Sequence, residues 1–161
     1  MQDSRPLYYV ATMIPKDAED NLRIRMHQQE REGWGFETVE VSGSFANALK
    51  DCDPKGVFLL DSVTALLENE MFPPDGSMNL TAHEHLAEEL VAAVQNLHNI
   101  VIVSDYIYSD ALRYGDTVEA YKKNLAYIDR RLAEVCDVVL EGCSGQVLVH
   151  KGEELFRGLP S

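Results

Sequence analysis

Cations are scarce in this chain. Fourteen Lys and Arg stand against 27 Asp and Glu, a formal charge of −13. A general nucleic-acid binder needs excess positive charge over the phosphates, so that class is excluded. Docking on an acidic membrane surface is excluded on the same ground. Long apolar runs are missing too. Runs such as Val57-Phe58-Leu59-Leu60 and Ile100-Val101-Ile102-Val103 are short, far below the roughly 20 residues that span a bilayer. The opening Gln2-Asp3-Ser4-Arg5-Pro6 lacks the basic-then-apolar pattern of a signal peptide. Cys52, Cys136 and Cys143 are odd in number and form no CxxC pair, which argues against a disulfide framework or a zinc knuckle. A reducing, cytoplasmic setting is therefore expected. Finally, no GxxxxGK[ST] and no Gly-rich phosphate cradle occurs anywhere.

What remains is ordinary globular material. With 161 residues, 45% apolar and 25% charged, the chain fits one domain at roughly 150 residues per domain. Leu7 to Thr12 follows Pro6 and is β-branched and aromatic, so it reads as a buried strand. Asp17 is placed to cap a helix in which Ala18, Leu22 and Met26 share one face, closed by Gly33 and Gly35. Phe36 to Val41 alternates as a strand, and Ser44 opens a short helix through Lys50. Val57 to Leu60 forms a buried strand ending at Asp61, with a helix from Val63 to Met71. After the loop Phe72 to Ser77, Thr81 and Glu84 are spaced as a capping box. A helix follows, and then the strand Ile100 to Val103. Val118, Tyr121, Leu125, Ile128, Leu132 and Val135 mark the clearest amphipathic helix. Asp137 to Glu141 and Gln146 to His150 read as closing strands. Alternating strands and helices predict a single α/β domain with a mainly parallel sheet flanked by helices. Ligands of such sheets sit at the carboxyl ends of the strands, here Thr12, Asp61 and Ser104-Asp105.

Several residues could carry chemistry. Arg23, His27 and Arg31 step by four, which makes one stripe on a helix. A neutral imidazole is a nucleophile and guanidinium groups hold phosphate oxygens. The plainer reading is a solvated charged face, which most such stripes are. Asp61 ends a buried strand, where a carboxylate can hold Mg²⁺ or, equally, cap the next helix. His83 and His85 read as surface residues and Trp34 as a half-buried anchor. Asp105 and Asp110 border a possible active-site loop.

Taken in order, these segments resemble the bifunctional adenosylcobinamide kinase / adenosylcobinamide-phosphate guanylyltransferase family of cobalamin synthesis. The matching pieces begin with Leu7 to Met13, Arg23 to Arg31, Phe36 to Glu40 and Val57 to Thr64. They continue with Asn69 to Phe72, Ile100 to Ser104 and Ile128 to Ala133. The resemblance implies a RecA-like P-loop NTPase fold, a homo-oligomer, and nucleotide and corrinoid small molecules as partners. It implies that His27 becomes guanylylated. It implies nucleotide binding by Ala11, Thr12, Met13, Gln28, Gln29, Glu30, Arg31, Glu40 and Asp61. Arg23 and Arg31 would contact phosphate, and Asp61 would serve Mg²⁺, with GTP or ATP as substrate. The family begins with a strand, a P-loop and a helix, whereas this chain starts at what resembles the second strand. The kinase half then lacks its phosphate cradle, and the sheet is expected to be rearranged or completed by a partner. Asp105-Tyr106-Ile107 and Asp129-Arg130 also depart from the family's pattern. The competing readings are a truncated or non-catalytic relative, acting as a nucleotide-binding or assembly subunit.

Overall fold

In the computed structural model, which describes residues 5–41, 43–108 and 112–158, the alternation becomes a parallel sheet. Its strands are β1 (Leu7–Ala11), β2 (Phe36–Glu40), β3 (Val57–Asp61) and β4 (Asn99–Val103), in the order β2-β1-β3-β4. All three pairings are parallel. The connections are α1 (Ala18–Glu30), α2 (Phe45–Ala48), and then α3 (Val63–Met71) with α4 (Ala82–Asn96). The helix α5 (Asp116–Val135) follows β4, and α6 (Glu153–Arg157) comes last. β4 is an edge of this sheet. The antiparallel hairpin β5 (Val139–Cys143) and β6 (Gln146–Lys151) forms a second sheet of its own. Among the described residues this sheet ends at β4.

Strand alternation divides the sheet into two unlike faces. Tyr8, Val10, Phe58 and Leu60 are buried together with Leu66, Leu67 and Met71 of α3, Leu86 and Leu90 of α4, and Leu125 and Ile128 of α5. The Tyr8 and Phe58 rings stack at 4.9 Å. The Tyr8 hydroxyl also accepts the Asp53 backbone N–H at 3.1 Å, fixing the turn before β3. The opposite face carries Tyr9, Leu59, Asp61, Val101 and Val103, and there Val101 is 57% exposed. Parallel sheets are ordinarily covered on both faces. Here the helix nearest in sequence, α1, contributes no buried residue.

Local signals explain most element boundaries. Asp17 caps α1 by accepting the Asp20 N–H. Gly33 and Gly35 adopt positive φ just past its end, a conformation that stops a helix cheaply. Ser144 and Gly145, both at positive φ, make the two-residue turn that suits a hairpin.

Some expectations need correction. Leu22 and Met26 do lie on one helical stripe, but they are 58% and 53% exposed. The flanking residues of α1 are too polar for a buried face to form. Thr81 and Glu84 make no capping box, because the Thr81 hydroxyl bonds Asn79 Oδ1 instead. Ser44 likewise turns its hydroxyl to Glu89, and α2 ends at Ala48 rather than Lys50. Trp34 is 62% exposed and anchors nothing. His83 is half-buried rather than freely exposed: its ring lies edge-on to Tyr127 at 5.1 Å, and its buried Nδ1 has no hydrogen-bond partner among the described residues.

Candidate functional site

The carboxyl ends of β1, β2 and β3 lie side by side. Ala11 is the register partner of both Glu40 and Asp61, so three of the predicted positions meet at one sheet edge. The ladder runs one step further, since Val41 N–H donates to Ala11 C=O and Thr12 N–H to Asp61 C=O. Thr12 is fully buried there. Its hydroxyl accepts the Ser62 N–H at 2.7 Å and donates to the Ser62 C=O at 2.7 Å. Asn69 of α3 donates its amide to the Thr12 C=O at 2.7 Å. Met13, next along, is half-buried.

Asp61 does not cap α3. Ser62 does, accepting the Ala65 N–H on its hydroxyl. The Asp61 carboxylate instead accepts the Tyr9 phenol O–H on Oδ2 at 2.6 Å. Tyr9 sits opposite Leu59 in register, so Asp61 is its diagonal neighbour two residues on, on the same face. The guanidinium of Arg31 lies 3.4 Å above the Tyr9 ring. Phe36 of β2 meets that ring edge-on. Burial, and then the bond to Asp61, push the Tyr9 phenol well above its ordinary value, so it stays a donor.

Beside Arg31 opens a cleft of about 640 Å³, lined by Arg25, Gln28, Gln29, Glu32, Phe36 and Thr38. Of the predicted nucleotide residues, Gln28, Gln29 and Arg31 line it. Arg25 was not foreseen. Its basic charge was legible in the sequence, but its place on the helix was not tied to Thr38.

The Arg23–His27–Arg31 stripe does not converge on one point. Arg23 pairs with Glu19 at 3.4 Å. His27 Nδ1 lies 3.3 Å from Glu30, one turn on. Arg31 alone leaves the helix for the sheet. Glu30 does not line the cleft beside Arg31.

A second cleft, of about 410 Å³, lies between the end of β4, α5 and the hairpin. In it Asp129 accepts hydroxyl bonds from Ser104 at 3.0 Å and Tyr108 at 2.9 Å. Burial holds the Asp129 carboxyl above its ordinary value, against those two bonds. Asp105 borders the same cleft, and His150 pairs there with Glu141 at 2.7 Å. Asp110 lies outside the described residues.

Among the described residues no three His, Cys, Asp or Glu gather as a metal cluster. A Mg²⁺ ion carried by a polyphosphate needs only one or two protein carboxylates. Asp61 fits that need, with its Oδ2 held by Tyr9 at the carboxyl end of β3. No helix among the described residues is long and apolar enough to cross a membrane.

A comparison with curated proteins gives no match. A family model does match, across residues 1–149, and its family is described as cobinamide kinase / cobinamide phosphate guanyltransferase. That span holds all four strands of the parallel sheet, the Arg31–Tyr9–Asp61 group and α5, and it agrees with the parallel α/β architecture. The chain belongs to the cobinamide kinase / cobinamide phosphate guanyltransferase family.

Proposed function

We propose that this chain binds GTP with Mg²⁺ at the carboxyl edge of the sheet and carries the guanylyl-transfer half of the family's chemistry through His27. The observation that supports this most is the Arg31–Tyr9–Asp61 group, which sets a phosphate-binding cation and a metal-binding carboxylate around one aromatic ring. Gln28 and Gln29, in the cleft beside Arg31, supply amide donors and acceptors for a nucleobase. Asp61 would hold Mg²⁺, which supplies charge neutralisation at the phosphates when bound.

His27 has the polarity that the reaction needs. With the imidazole proton on Nδ1, facing Glu30, the lone pair is on Nε2. Nε2 attacks the α-phosphorus of GTP. A nitrogen–phosphorus bond forms, the bond from the α-phosphorus to the β-phosphate bridging oxygen breaks, and pyrophosphate leaves. Glu30 takes up the Nδ1 proton. A phosphate oxygen of cobinamide phosphate then attacks the same phosphorus, the nitrogen–phosphorus bond breaks, and Glu30 returns the proton to Nδ1, which restores neutral His27.

A second reading has support from one feature. Arg23 and His27 are each engaged by an acid of their own helix and not by the Tyr9–Asp61 group, as in a subunit that binds nucleotide without turning it over. Labelling separates the two. The protein is incubated with Mg²⁺ and GTP labelled at the α-phosphate, with His27→Ala as control. An acid-labile, base-stable label that disappears in the variant is the expected result. No label at GTP far above physiological levels would leave the non-catalytic reading.

A further inference from the structure

Tyr9 does more at this position than fill space. It is 6% exposed and packs edge-on to Phe36, a role that Phe would fill equally. A buried phenol O–H needs a partner, and a strand offers backbone and hydroxyl groups for that purpose. Here the partner is a carboxylate at the carboxyl end of the neighbouring strand, reached diagonally at 2.6 Å.

The other side of the ring is equally specific. Arg31 is the residue that caps α1, and its guanidinium carbon lies over Tyr9, 3.4 Å from the ring centroid. Arg31 and Asp61 form no ion pair among the described residues. Opposite charges this close to one ring would neutralise each other if they met, leaving neither free for a ligand. The phenol stands between them. A cation–π contact uses none of the guanidinium's N–H donors. The hydroxyl engages one carboxylate oxygen and leaves the other.

We infer that Tyr9 is a positioning residue which keeps Arg31 and Asp61 apart and fixes both for a metal–polyphosphate ligand. The ring sets the cation that meets phosphate oxygens, and the hydroxyl sets the carboxylate that meets the divalent ion. This rests on the nucleotide and Mg²⁺ reading above. It adds that the two halves of the site are separable in one side chain.

The test uses two variants of the full chain and two binding measurements. Tyr9→Phe deletes the hydroxyl and keeps the ring, whereas Tyr9→Leu deletes both. Binding of a fluorescent GTP analogue is measured without metal and with Mn²⁺, and Mn²⁺ itself is followed by electron paramagnetic resonance. Tyr9→Phe is expected to lose about tenfold of the Mn²⁺-dependent gain, the scale of one hydrogen bond to a charged group. Its metal-free affinity should stay within about twofold. Tyr9→Leu is expected to lose both, and Arg31→Leu only the metal-free part. If Tyr9→Phe keeps the full Mn²⁺-dependent gain, the inference is overturned. It is equally overturned if in Tyr9→Phe the metal-free and metal-dependent binding fall together with the melting temperature, since that is what a purely structural role gives. If the unaltered protein shows no Mn²⁺-dependent gain and Asp61→Asn changes nothing, the metal reading itself fails and takes the inference with it.

Discussion

The Thr12 hydroxyl makes two hydrogen bonds to one residue, accepting the Ser62 N–H and donating to the Ser62 C=O, both at 2.7 Å. The residues are fifty positions apart in the chain. They tie the end of β1 to the start of α3 beside Asp61, where Thr12 is fully buried. Thr12→Val keeps the shape and removes both bonds, leaving buried polar groups unpaired. The expected loss is about 2–4 kcal/mol, read as a lower urea midpoint. Thr12→Ser should recover most of it. A Thr12→Val midpoint equal to that of the unaltered protein would mean that this pair does not hold the site.

Glu30 faces His27 Nδ1 and does not line the cleft beside Arg31. Glu30→Gln should therefore slow formation of the guanylyl label by roughly ten- to a hundredfold, within the range of general acid–base effects. Affinity for the GTP analogue should change little. If affinity falls and the labelling rate does not, Glu30 belongs to the binding site, as the sequence reading had it.

Asp129 supplies a pH prediction. Its folded carboxyl is held above the ordinary value of 3.8, chiefly by burial. The folded state therefore binds the proton more tightly than the unfolded state. Stability from this group is fully present below 3.8 and is lost as pH rises through the raised folded value. Asp129→Asn cannot titrate, and its amide oxygen can still accept from Ser104 or Tyr108. The unaltered protein should lose stability relative to Asp129→Asn as pH rises through that window, and the difference should then stay flat. Denaturation at a series of pH values checks this, and a difference that does not vary with pH would rule it out.

The two kinds of helix packing predict opposite outcomes for similar deletions. Ile128 of α5 is fully buried against α3, α4 and the sheet. Ile128→Ala should cost about 2–5 kcal/mol. Leu22 of α1 is 58% exposed, and Leu22→Ala should stay within about 0.5 kcal/mol. Equal losses at the two sites would show that α1 has a packed partner.

Local pattern determined a good deal of this protein by itself. Strand and helix periods run over a few residues and depend on neighbours in the chain. They placed β1, β3, α3, α5 and the hairpin within a few residues, and gave a parallel α/β sheet. The ordered motifs also marked the family. Asp61 stood out as a candidate because a carboxylate closing an apolar strand is conspicuous in a sequence.

Register and packing decided the rest. Tyr9 looked like one more aromatic of a buried strand, since nothing in Leu7-Tyr8-Tyr9-Val10 says which Tyr faces the core. Only the pairing of β1 with β3 sets Tyr8 against Phe58 and Tyr9 diagonal to Asp61. The Arg23–His27–Arg31 spacing was correct as helical geometry, but spacing cannot tell which member bends toward the sheet. Likewise Ala18, Leu22 and Met26 repeat with the right period, yet burial needs a surface to pack against. The helices over the sheet's other face supply one, and nothing described here covers α1. A period is local, whereas a contact depends on where two distant segments end up, and that is fixed by the free energy of the whole fold.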